Sequence, residues 1–125
     1  MDDYGFHNVW DIVLYDNELL SDEDALNTFF YEALKKSGFK VIGHLCHKFT
    51  SDGEGVTGIF LLSESHLSFH TYPETHYISI DVYTCGKKAI CIHRDIESFF
   101  KNSKKFTVRG LERGSNLGAY QLIRG

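Results

Sequence analysis

From His7 to Leu14 (HNVWDIVL), Asn8, Trp10, Ile12 and Leu14 alternate with Val9, Asp11 and Val13, the period-two pattern of a β-strand. From Ser21 the period lengthens, and Leu26, Phe29, Phe30, Ala33 and Leu34 recur at the three- and four-residue spacing of an amphipathic helix. Ser21 is expected to cap it. Asp22, Glu23 and Asp24 supply an acidic first turn, Lys35 and Lys36 suit the C-terminal dipole, and Gly38 supplies the stop. Phe39 to Thr50 resumes strand character, SDGEG at Ser51 to Gly55 reads as a loop, and the apolar run VTGIFLL at Val56 to Leu62 predicts a buried strand. Strand period beyond that run gives His66, Ser68 and His70 one face and Leu67 and Phe69 the other. Tyr77 to Thr84 puts Ile78, Ile80 and Val82 on an apolar face, with Tyr77, Ser79, Asp81, Tyr83 and, by continuation, Cys85 opposite. Pro73, the only proline, marks a rigid corner between these two stretches. After the turn GKK at Gly86 to Lys88, a second helix is expected near Asp95 with Ile96, Phe99 and Phe100 inward. A strand such as Phe106 to Arg109 follows, and Leu117 to Ile123 is expected to add an edge strand.

The order is then β-α-β-β-β-α-β. Strands in runs with two amphipathic helices predict an α+β fold, a two-layer α/β sandwich whose mostly antiparallel sheet carries both helices on one face. The other face is left free for function or a partner. At 125 residues and 42% hydrophobic content the chain, 1–125, makes one domain with a single core. A net charge of -4 argues against nucleic acid or an acidic membrane, whose recognition draws on clustered Lys and Arg. No run approaches the roughly 18 apolar residues of a membrane span, and the start MDDYGFH lacks the basic-then-apolar order of a secretory signal. A cytoplasmic location is the expectation. Three cysteines, Cys46, Cys85 and Cys91, without paired spacing, predict reduced thiols rather than a disulfide framework.

Chemistry concentrates between Ser63 and Glu74, where SESHLSFHTYPE packs hydroxyl, carboxylate and imidazole groups directly behind the apolar run. His44, Cys46 and His47 invite a metal reading, but strand alternation sends His44 and His47 to opposite faces and no second pair stands at ligand spacing, so no metal is expected. His66 and His70 share a face about 13 Å apart, too far for one ion. A Ser65, His70 and Asp81 triad lacks the G-x-S-x-G elbow and a Gly-rich oxyanion loop, and no phosphate-cradling glycine motif is present.

The run SESHLSFHTYPE followed by YISIDVYTCG resembles the bacterial and archaeal type of S-adenosylmethionine decarboxylase, a self-processing pyruvoyl-dependent enzyme of polyamine synthesis. The likeness continues through GFH at Gly5 to His7, the helix after it, HKF at His47 to Phe49 and GVTG at Gly55 to Gly58. The C-terminal third is similar only in pattern, as helix then strand.

The resemblance implies autocatalytic serinolysis. The Ser65 hydroxyl attacks the carbonyl of Glu64, the resulting ester eliminates, and the dehydroalanine hydrolyses to a pyruvoyl group derived from Ser65. The zymogen is thereby cut into 1–64 and 65–125. His70 is implied as the processing histidine, since imidazole accepts a proton near neutral pH. Thr57 stands where the family usually has a processing serine, keeping the hydroxyl with a stiffer χ1. The ketone would take the substrate amine as a Schiff base and act as electron sink, and Cys85 in TCG would return the proton after CO2 leaves. Phe49 is implied to stack on adenine, where an aromatic face also suits the sulfonium, and Glu74 to accept from the ribose. Tyr72 stands where tryptophan is common in the family, and His7 matches an early histidine as site support. The implied product is decarboxylated S-adenosylmethionine, the aminopropyl donor for spermidine, made by a homodimer of cleaved protomers with no metal. Arginine or ornithine as substrate of the same pyruvoyl machinery, or a non-catalytic regulatory relative, are the alternatives.

Overall fold

A computed structural model describes residues 3–51, 53–85 and 89–116. Its elements are β1 (Gly5–Leu14), α1 (Glu23–Lys36), β2 (Val41–Lys48), β3 (Val56–Leu62), β4 (His66–Tyr72), β5 (Tyr77–Cys85), α2 (Ala89–Phe99) and β6 (Ser103–Arg113). The strands form one sheet in the order β2-β3-β4-β5-β1-β6, and every neighbouring pair is antiparallel. The two-layer α+β arrangement is the one expected from the pattern.

One face of the sheet presents Trp10, Ile12, Phe60, Leu67, Phe69, Ile78, Ile80 and Val82, all buried. Against it α1 lays Leu26, Phe30 and Leu34, and α2 lays Ile92 and Ile96. Phe30 stacks on Phe69 at 4.7 Å between ring centroids, tying α1 to the middle of the sheet. Each such side chain contributes about 1.5–3 kcal/mol by leaving water. Gly58 is set by this contact: opposite Phe69 in the β3–β4 register, it has no room for a Cβ, which would come within 2.5 Å of the ring.

Several boundaries differ from the sequence reading. Four strands, not three, separate the helices, because Ser63 to Ser65 is a tight turn that folds β4 back antiparallel to β3, with the Leu62 N–H donating to the Ser65 carbonyl at 2.9 Å. The polar break after Leu62 is therefore a hairpin turn. Asp22, not Ser21, caps α1: its carboxylate accepts from the Ala25 N–H at 3.0 Å, while Ser21 ends a short 3-10 turn. Asp and Ser are equally good caps, so their neighbourhood left a one-residue ambiguity. Helix α2 begins at Ala89 rather than near Asp95, driven by Ile92, Ile96 and Phe100 at successive four-residue spacing. Phe99 is not inward; it is 41% exposed and stacks on Phe29 at 3.9 Å. Strand β6 runs well past Phe106 to Arg109 at both ends because β1 pairs with it along nearly its whole length. The expected edge strand at Leu117 to Ile123 lies outside the described residues.

Candidate active site

Ser65 sits in the β3–β4 turn, 9% exposed, between the exposed Glu64 and the first residue of β4. Cys85, the last residue of β5, reaches this turn because β5 lies beside β4 with His66 opposite Tyr83. Its backbone N–H donates to the Ser65 Oγ at 3.4 Å, and its thiol donates to the carbonyl oxygen of Glu64 at 3.5 Å. One residue thus holds the hydroxyl and the oxygen of the carbonyl that this hydroxyl would attack. A donor aimed at an oxygen where charge develops is how an amide is opened to a weak nucleophile.

The second cluster lies at the other end of β4. Thr57 and His70 are cross-strand partners on the face opposite the helices, with Thr57 Oγ1 at 3.0 Å from His70 Nδ1. They line a hollow of about 440 Å³ together with Phe49, Tyr72 and Glu74. Phe49 is 47% exposed, so it serves this hollow and not the core. The structure brings Thr57, His70, Phe49 and Glu74 together, and Glu64, Ser65 and Cys85 together, but it does not join the two groups within one chain. Five residues of strand put His70 roughly 16 Å from Ser65.

The weighed triad does not form in this register. Asp81 accepts from His7 at 3.1 Å instead of serving His70, which removes the Ser65-His70-Asp81 triad. His44 Nε2 pairs with the Asn27 Oδ1 at 3.2 Å, and the Cys46 thiol donates to Glu23 at 3.4 Å; burial pushes that thiol's pKa up. His47 instead packs edge-on against Phe49. Among the described residues no group of three or more His, Cys, Asp or Glu is placed to hold a metal ion. Among them, too, no helix is long and apolar enough to cross a membrane.

A third group was missed as a group. His7 on β1, His66 on β4, Tyr83 on β5 and Arg113 on β6 meet beside the Ser65 turn: the His66 ring lies 5.8 Å from Tyr83 and 6.3 Å from His7, and the Arg113 guanidinium sits 5.4 Å from the Tyr83 ring centre. Burial, then the neighbouring His7, push the His66 pKa below its usual value. Strand parity placed His66, Asp81 and Tyr83 on one face. Only the pairing of the first strand with the fifth and sixth adds His7 and Arg113.

A family model described as S-adenosylmethionine decarboxylase matches residues 6–114. The chain belongs to this family. A Synechococcus S-adenosylmethionine decarboxylase proenzyme is 42% identical over 82 residues, covering 66% of this chain and 62% of the relative. One from Pyrococcus furiosus is 39% identical over 89 residues, covering 71% and 63%. The chain thus matches less than two thirds of the length of these two relatives. One from Methanococcus maripaludis is 35% identical over 117 residues and covers 91% of this chain and 93% of the relative. Among solved structures, the adenosylmethionine decarboxylase of Aquifex aeolicus superposes with a TM-score of 0.81 at 27% identity, covering 98% of this chain and all of that one. The family match takes in all three clusters, from His7 to Arg113.

Proposed function

We propose that this chain cuts itself between Glu64 and Ser65 and then decarboxylates S-adenosylmethionine with the pyruvoyl group that the cut leaves on residue 65. The observation that carries the reading is Cys85, whose two donors meet the Ser65 hydroxyl and the Glu64 carbonyl. Attack of Ser65 Oγ on the Glu64 carbonyl carbon moves the acyl group from nitrogen to oxygen. Negative charge grows on the oxygen that the Cys85 thiol faces. Loss of the Cα proton of residue 65 expels Glu64 as a carboxylate, and the dehydroalanine left behind takes up water and loses ammonia to give the ketone. The products are chains 1–64 and 65–125.

The buried Ser65 position beside Cys85 fits such a group, whose ketone supplies the electron sink that amino-acid decarboxylation needs. On this reading the Cys85 thiol returns a proton to the substrate carbon that loses CO2. In the hollow, Phe49 offers an aromatic face for adenine and the sulfonium, and Glu74 a carboxylate for ribose hydroxyls.

The roughly 16 Å between Ser65 and His70 supports a homodimer as the working unit. Sheet residues opposite the helices include Leu45 at 75%, Leu61 at 53% and Leu111 at 61% exposure, apolar area that a second copy would cover. A two-fold axis across the middle of β4, between two facing sheets, exchanges the ends of that strand. It brings the partner's Thr57 and His70, with the partner's Phe49 and Glu74, to the Ser65 turn. His70 then takes the Cα proton of residue 65, oriented through its Nδ1 by the Thr57 hydroxyl.

Intact-mass measurement of the purified chain tests the reading. Two fragments, the second carrying a ketone, with CO2 released from S-adenosylmethionine and none from arginine or ornithine, are expected. Ser65→Ala should leave one whole chain. An unbroken natural chain that releases no CO2 would sink the reading.

A further inference from the structure

The amino group and the carboxylate of an α-amino acid share one carbon, so a substrate whose amine reaches residue 65 must lay its carboxylate against the side chains bordering that residue. Within one chain these are Cys85 and the adjoining His66, whose ring leads on to Tyr83, the His7–Asp81 pair and Arg113. Gly5 lies between Cys85 and Arg113 in the register, and its missing side chain leaves the sheet surface there to the Tyr83 ring, which a Cβ would approach to 3.1 Å. Arg113 lies across that ring.

The partners of these groups sort them. Asp81 is engaged by His7 at 3.1 Å, which moderates the repulsion an incoming carboxylate would meet. Among the described residues neither ring nitrogen of His66 has a hydrogen-bond partner, and no carboxylate lies within ion-pair distance of Arg113. The half-buried His66 is the residue that directly follows the reacting position, and its ring is free to donate.

We propose that His66 and Arg113, supported by the His7–Asp81 pair, form the subsite that receives the substrate's carboxylate; this rests on the decarboxylase reading of the same site. The two donors divide the task. Arg113, on the exposed rim, draws the anion in through screened long-range attraction. His66, kept toward its neutral form by burial and by His7, orients the carboxylate with an N–H and little charge. That restraint suits the reaction. Negative charge leaves the carboxylate on the way to the transition state, so a full cation held against it would favour bound substrate over CO2 loss.

The test uses the Ser65→Ala chain, which has no ketone, and compares calorimetric affinities for S-adenosylmethionine and for its decarboxylated form, which differ only in the carboxylate. The parent is expected to bind S-adenosylmethionine ~10-fold more tightly, the size of one charge-assisted hydrogen bond. His66→Gln and Arg113→Gln should each shrink that ratio severalfold while leaving affinity for the decarboxylated form unchanged. His66→Arg should widen the ratio, yet slow CO2 release in the cleaved enzyme. Equal loss for both compounds, or an unchanged ratio in both Gln variants, overturns the subsite. The exposed Arg113 variant decides the matter if His66→Gln misfolds. If the natural chain is neither cut nor active on S-adenosylmethionine, the decarboxylase reading itself fails and takes this inference with it. A natural chain that is cut, ketone-bearing and active, with no carboxylate preference in the Ser65→Ala chain, defeats the inference alone.

Discussion

Cys85 faces both the Ser65 hydroxyl and the Glu64 carbonyl oxygen, so its replacement has two separable effects. A thiol is a weak donor and 3.5 Å is long, so Cys85→Ala should slow self-cleavage roughly tenfold, below the 10²–10³ typical of a strong oxyanion donor. Turnover should fall further, because among the described residues no other thiol adjoins residue 65; a time course of intact mass alongside CO2 release separates the two rates. At Thr57 the hydroxyl matters and the methyl does not: Thr57→Ser should keep the contact with His70 and cut normally, while Thr57→Val should cut at least tenfold more slowly in the same time course. Two histidines give the fold a pH dependence. Burial lowers the pKa of His66 and of His93, which packs on Trp10, below the usual 6.5. Between those lowered values and 6.5 the unfolded chain binds more protons than the folded one, so stability falls as pH drops through this window. The melting temperature should be lower at pH 5.5 than at 7.5, and His93→Gln should shrink the difference; an identical pH response in that variant contradicts the assignment. At this scale Glu64, Ser65 and Cys85 were legible by motif, and their contact is what folding supplied. His66 was legible only as a residue on a polar face, because its neighbours come from strands far away in sequence.

Elements were readable where one physical signal dominated. Helix α1 has an apolar stripe, an acidic start, a basic end and Gly38 at a φ of 84°, and it forms where those signals place it, with one residue's difference at the cap. Removing that cap with Asp22→Ala should cost about 1 kcal/mol by urea unfolding. Removing the anchor of the same helix with Phe30→Ala should cost about 3–5 kcal/mol, since the ring is fully buried against Phe69. Helix α2 was harder to read because Ala89 to Ile92 (AICI) is a short continuous apolar run, which fits a buried strand as well as a helical turn. The β3–β4 turn was obscured for another reason: Ser63, Glu64 and Ser65 are polar enough to be read as chemistry, and three residues leave little room to show that they are also a reversal. Strand β6 was underestimated because most of its residues are exposed, so its length is fixed by hydrogen bonding to β1, and apolar alternation shows only at Phe106 and Val108.

For the whole molecule, the separation of the Ser65 turn from the Thr57–His70 pair is the decisive dimension. If the pair serves the opposite copy, Ser65→Ala and His70→Ala chains should each stay uncut alone. Produced together, the His70→Ala chain should be cut, because its Ser65 meets the intact His70 of the Ser65→Ala copy. Mass analysis of the mixture distinguishes the cases, and a mixture in which both chains stay whole refutes action across the interface.

By itself the sequence determined the α+β class, the greasy and polar faces of the central strands, the family, and the peptide bond at which cleavage is proposed. These depend on local period and on contiguous motif, information carried by residues within a few positions of one another. The tertiary structure alone decided which strands are neighbours. Placing β1 between β5 and β6 gathered His7 and Arg113 around His66, and folding β4 back on β3 set Thr57–His70 at the far end of the strand from Ser65. Strand pairing between distant segments is chosen by the summed burial of the entire sheet, and that sum is not written in any one stretch of the chain.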